Sequence, residues 1–157
     1  MKKVAFQDMY SDWSSHCYGC GRLNEHGLQI KSYWDESGKG TICHFTPYSY
    51  HTAAPGFVYG GLIASLIDCH STASAAAATY RKAGREMGSE PELRFVTASL
   101  HVDFIRPTPI GEELEIRGKI EEIKGRKVIV SSKLSARGEV CARGLVVAVE
   151  APDSMKE

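Results

Sequence analysis

The sequence predicts an α+β domain in which a curved antiparallel sheet wraps one long central helix. Two observations predict it. Residues 62–83 form the longest interval without Gly or Pro, and Leu, Ile and Ala dominate it. That composition favours a single helix opening near Gly60, behind the Gly/Pro turn of residues 55–61. From Ser99 onward the apolar residues instead recur every second position, the period of strands. One sheet and one strongly apolar helix must bury each other.

A chain of 157 residues makes one domain, 1–157, able to bury roughly two-thirds of its unfolded surface. Lys plus Arg number 19 and Asp plus Glu 19, so no net field draws nucleic acid or a charged membrane. The first residues have a charged tip with no apolar run behind it, unlike a signal peptide, and no stretch reaches the length of a membrane span. Five cysteines, an odd number, fit reduced thiols in a cytoplasmic protein.

In chain order, residues 4–15 space Phe6, Met9, Tyr10 and Trp13 as one side of a short helix. His16-Cys17-Tyr18-Gly19-Cys20-Gly21 follows, a C-x-x-C between glycines. Zinc would need four ligands, and no second C-x-x-C or H-x-x-x-H appears downstream. Cys43 and His44, the nearest later pair, would point to opposite faces of a strand. A redox pair would want a strand before and a helix after. The expectation is a tight Gly-rich turn without a metal, leading to Leu28. Residues 28–34 and 41–45 read as strands, joined by a hairpin turn over 35–40. Residues 81–92 are the least patterned connection and a candidate mobile loop.

Beyond it come strands around residues 99–104, 114–120, 128–134 and 140–149, with short links that predict a four-strand antiparallel meander. The last of these is apolar on both faces and should lie centrally.

On the helical wheel Leu62, Ile63, Leu66, Ile67, His70, Ala73 and Ala77 share one face. Ser74 falls there too, able to bond back to the preceding turn. His70, mid-way across that face, reads as a core histidine with a satisfied bond. Asp68 points the other way, among Ala64, Ser71, Thr72 and Ala75. A lone acid among small residues costs free energy unless it is paired or functional. Two readings stand: a bond to a neighbouring backbone or hydroxyl group, or a catalytic role.

Three segments together resemble the hotdog-fold acyl-CoA thioesterases of the PaaI-like group. They are Pro55-Gly56-Phe57-Val58-Tyr59-Gly60-Gly61-Leu62 with Leu66-Ile67-Asp68, the strand Thr97 to Pro107, and the entry segment Cys17 to Leu28. The resemblance implies hydrolysis of an acyl-CoA thioester to free acid and CoA, with no cofactor. It makes Asp68 the catalytic carboxylate, as base or nucleophile. Gly60 becomes the backbone donor to the oxyanion, and Thr97 the hydroxyl beside the carboxylate. Tyr59 stands where the family usually has His; with Gly61 and the nearby His51 it is expected to contact substrate. Helix N-termini carry unpaired N–H groups and about half a positive charge, which suits an oxyanion. Competing readings are a non-catalytic acyl-CoA binding or sensing module, favoured by Tyr59, and a hydratase on the same fold.

Gly60 and Asp68 are eight residues apart, about 12 Å along a helix. One thioester cannot meet both from a single helix, so two antiparallel helices from two chains are expected. That implies a homodimer with shared sites, extendable to a tetramer, its contact face being Ala64, Ser71, Thr72 and Ala75.

Overall fold

The computed structural model describes residues 2–155. A 3₁₀ turn at Phe6–Met9 precedes strands β1 (Ser32–Trp34) and β2 (Thr41–Phe45), helix α1 (Gly60–Lys82), and strands β3 (Phe95–Phe104), β4 (Leu114–Lys124), β5 (Lys127–Ala136) and β6 (Glu139–Glu150). All six strands form one antiparallel sheet, ordered β1-β2-β4-β5-β6-β3. The helix lies against it, touching β3, β4, β5 and β6. This is the hotdog arrangement.

Leu62, Ile63, Leu66 and Ile67 pack on Leu114, Ile116, Leu134, Ala142 and Val146 to make the main core. Farther along the helix, Ala75 meets Val128, Val130 and Ala148 in a second cluster. Helix and sheet approach closely at Gly144, where an added Cβ would run into the Ile67 side chain.

The predicted strands fall where the alternation placed them, and β6 is interior to the sheet. The four-strand meander does not hold. Only β4, β5 and β6 form one, and β3 pairs with β6 at the far edge. Residues 105–113 cross the end of the sheet instead of turning tightly. The helix-entry segment holds them: Val58 N–H donates to Thr108 O at 2.8 Å and Ile110 N–H to Gly56 O at 3.0 Å. As an edge strand β3 also leaves apolar residues open. Val102 packs on the core, whereas Leu100 is 39% and Phe104 57% exposed.

Four further expectations are adjusted. The helix expected over 4–15 is a single 3₁₀ turn, and the first strand covers only Ser32–Trp34. The connection 81–92 is tied down: Tyr80 Oη accepts the Leu93 N–H at 2.8 Å, Arg85 Nη2 donates to Ser89 O at 2.7 Å, and Ser11 Oγ donates to Glu92 Oε2 at 2.6 Å. Ser71 and Ala75 do not face outward with Asp68. Ser71 Oγ bonds Ser132 Oγ at 2.9 Å on β5, and Ala75 lies in the second core cluster. The partly open stripe of α1 is Gly61, Ala64, Ser65, Asp68 and Thr72.

No helix among the described residues is long and apolar enough to cross a membrane.

Candidate active site

The helix-entry segment is built as a doubled loop. Thr52 bridges Val58, and Tyr59 N–H donates to His51 O at 2.9 Å. His51 Nδ1 in turn accepts the Tyr48 N–H at 2.9 Å, and its ring stands edge-on to Tyr50. His51 therefore fixes the backbone behind Tyr59, while burial lowers its pKa. Tyr59 has extended backbone angles as N-cap of α1 and offers no side-chain cap. Its ring is 57% exposed and overlies Gly61, where an added Cβ would collide with it.

Gly60 and Gly61 are thus the first two residues of a 23-residue helix, with no acidic side chain in its first turn. Amides at such positions have no carbonyl one turn back to receive them. Gly60 opens on a recess of about 390 Å³ lined by Phe57, Ile63, Phe104, Arg106 and Thr108.

Asp68 is half-buried two turns farther along. The Thr97 hydroxyl donates to its Oδ1. Thr97 owes this aim to its place in β3, where the register with β6 slips between Thr97 and Ser99; such a bulge turns the local side chains. Burial raises the Asp68 pKa, the Thr97 bond opposes the rise, and Cys17 adds to it. The carboxylate lines a cleft of about 280 Å³ with Tyr10, Cys17, Cys20, Thr72 and Thr97. Of the two sequence readings of Asp68, the bond to a neighbouring hydroxyl is present, and the carboxylate also faces a cavity.

The structure brings Asp68 to Thr97, and His51 and Gly61 to Tyr59. It does not bring the two groups together, because the Asp68 cleft and the Gly60 recess share no lining residue.

Sequence reasoning missed the third thiol of the cleft. Cys69, next to Asp68, meets the C-x-x-C turn: Cys17 Sγ lies 3.8 Å from Cys69 Sγ. The sulfurs of Cys17, Cys20 and Cys69 all fall within 4.8 Å of one another, and all five cysteines are free. Hydrogen bonds from the Cys20 and Cys69 thiols and from the Cys20 and Gly19 amides hold Cys17 down at about 2. Cys20 is pushed up to about 12, chiefly by its bond to Cys17. The cysteine beside Asp68 was the only signal in the sequence, and nothing local ties it to a turn some fifty residues earlier.

His70 lies on the opposite side of the helix, fully buried, with Nδ1 2.9 Å from Ser32 Oγ and Nε2 3.0 Å from Thr41 Oγ1. It is a core residue, with two bonds where one was expected.

Residues 55–143 match the model of the thioesterase superfamily. Among curated proteins, an acyl-coenzyme A thioesterase THEM4 of Xenopus laevis is 31% identical over 113 residues, covering 72% of this chain and 45% of that protein. The chain thus spans less than half the length of that relative. Among solved structures, a thioesterase superfamily protein from Shewanella loihica PV-4 is 50% identical with TM-score 0.70, covering 93% of this chain and 99% of that one. The PaaI protein of E. coli, from the phenylacetic acid degradation operon, shares the fold at 15% identity and TM-score 0.63, over 80% of this chain and 81% of that one.

Proposed function

The chain belongs to the thioesterase superfamily, and from that premise we propose that it hydrolyses an acyl-CoA thioester to the free acid and CoA. The observation that carries the reading is Asp68 itself, half-buried on a cavity wall with one carboxylate oxygen held by Thr97. With Oδ1 occupied, Oδ2 is left to act. As a base it takes a proton from water while the water oxygen attacks the thioester carbonyl carbon. As a nucleophile it attacks that carbon directly, and water then opens the resulting anhydride. In either course the C–S bond breaks and CoA leaves as thiolate, which takes up the proton.

The negative charge that develops on the carbonyl oxygen needs a donor, and the Gly60 amide at the positive end of α1 supplies it. One such donor is worth about 10²–10³ in rate. Within one chain that amide opens on the wrong recess. We therefore assign the active unit to a homodimer in which Asp68 and Thr97 of one chain face Gly60 of the other, with two such sites. The open stripe of α1 and the unpaired outer edge of β3 are the surfaces that support this pairing. Leu100 and Phe104, exposed on β3, would then be covered. Tyr59, exposed and next to Gly60, would contact the substrate, with His51 fixing the backbone behind it.

Asp68→Asn tests the chemistry. It should fold normally and hydrolyse a panel of acyl-CoA thioesters at least roughly 10²-fold more slowly, the lower range for a positioned acid–base group. Near wild-type thiol release from this variant would sink the assignment. One observation favours a second reading: Tyr59, an aromatic alcohol that cannot supply an imidazolium, replaces the family's usual His. Acyl-CoA binding without thiol release by the wild-type protein would identify a sensing module instead.

A further inference from the structure

We propose that Cys17, Cys20 and Cys69 form a zinc-binding site that fastens the entry turn to α1. The three sulfurs converge from two distant parts of the chain within 4.8 Å of one another, the one such cluster among the described residues. Their spacing suits a metal better than a disulfide. Zn–S bonds of about 2.3 Å at tetrahedral angles set sulfurs about 3.8 Å apart. Cys17 and Cys69 stand at 3.8 Å, whereas a disulfide would draw two of the sulfurs to about 2 Å and leave the third without a role.

The backbone is shaped to bring the three sulfurs together. Gly21 N–H donates to Cys17 O at 2.8 Å, closing the turn. Gly19 lets the turn approach the helix, because an added Cβ there would strike Cys69 Sγ. The turn is further fixed where Leu28 N–H donates to Tyr18 O at 2.8 Å and Ile30 N–H to Gly19 O at 3.1 Å. Soft thiolates select zinc over magnesium or calcium. Three of them leave one of four positions for a solvent molecule from the cleft that they line with Asp68. Cys43 and Cys141 stand outside the cluster as separate buried thiols.

The test uses the full chain, stripped with a chelator under reducing conditions and titrated with cobalt(II) as the probe. One cobalt per chain should bind with a thiolate-to-metal charge-transfer band, and zinc should displace it. Cys17→Ala, Cys20→Ala and Cys69→Ala should each lose the band, while Cys43→Ala and Cys141→Ala keep it. Circular dichroism establishes that each variant folds, and Cys17, the exposed ligand, separates loss of a ligand from loss of packing. Absence of the band in the reduced wild-type protein would overturn the proposal. So would a band that survives Cys69→Ala, or a Cys17–Cys69 disulfide that forms in air in the presence of zinc. The readout is independent of acyl-CoA turnover, so its failure is separable from failure of the hydrolase reading.

Discussion

Replacing His70 with leucine should change how stability depends on pH, in a direction fixed by one buried chain of hydrogen bonds. Ser74 Oγ donates to His70 O at 2.7 Å, so its proton is committed. Thr41 Oγ1, 2.7 Å away, must therefore donate to Ser74. His70 Nε2 must then carry a proton and donate to Thr41. That leaves Nδ1 to accept from Ser32 Oγ, which itself accepts from Gln7 Nε2 at 3.0 Å. Every proton has one place, and the imidazole is neutral with its proton on Nε2. A second proton would set Nδ1–H against the Ser32 hydroxyl in a site with no exposure. Ser32, Thr41 and Gly118, the groups against the ring, carry no charge to help. Burial accordingly pushes the His70 pKa down to about 3 from 6.5.

The unfolded chain takes up this proton first, so the contribution to stability is complete above pH 6.5 and is lost as pH falls toward 3. Each pH unit in that window is worth about 1.4 kcal/mol, and from pH 7 to pH 4.5 the histidine alone removes about 2–3 kcal/mol. At pH 7 His70→Leu should be destabilised, by roughly 1–3 kcal/mol for each hydroxyl left without a partner. At pH 4.5 much of that gap should close, because leucine does not titrate. Urea unfolding followed by tryptophan fluorescence at the two pH values measures it. A gap between wild type and variant that does not change with pH would refute the buried neutral histidine. Abolished turnover in a stable variant would make His70 a functional residue after all.

Two more perturbations probe the site and its support. Thr97→Val keeps the shape of β3 and removes the donor to Asp68 Oδ1. A bond to a charged group contributes about 1.5–3 kcal/mol, so kcat should fall about 10–100-fold in steady-state thiol release, and an unchanged kcat would remove Thr97 from the site. Gly144→Ala places a methyl group against Ile67 and should cost about 1–3 kcal/mol of unfolding free energy. Adding Ile67→Ala should recover part of that loss in a double-mutant cycle, whereas strictly additive costs would mean that the two do not touch.

Much of this was legible before any coordinates, for identifiable reasons. The long interval without Gly or Pro fixed α1, because helix formation needs only local agreement among residues. The places of Tyr59, Gly60 and Asp68 at the start of α1 and along it were legible because they lie within ten consecutive residues, whereas their proposed roles rest on the family resemblance. The place of β3 was not. A short link makes neighbouring strands probable, yet the 105–113 segment is held by Gly56 and Val58, contacts made across some fifty residues. The same limit hid the third thiol: Cys69 joins Cys17 and Cys20 only after the entry turn folds back onto the helix. Ser71 was placed with Asp68 by the wheel, but the curved sheet reaches round far enough for Ser132 to claim it.

The proposed division of one active site between two chains is most directly tested by complementation. Gly60 is the first residue of α1 and Tyr59 before it is extended, so Gly60→Pro removes the amide proton where proline is tolerated. Asp68→Asn removes the carboxylate. Each variant alone should be inactive. Refolded together in equal amounts, half of the dimers should be mixed, and each mixed dimer carries one site with both groups intact. Specific thioesterase activity should then return to about one quarter of the wild-type value. Verified mixed dimers as inactive as their parents would contradict the shared site.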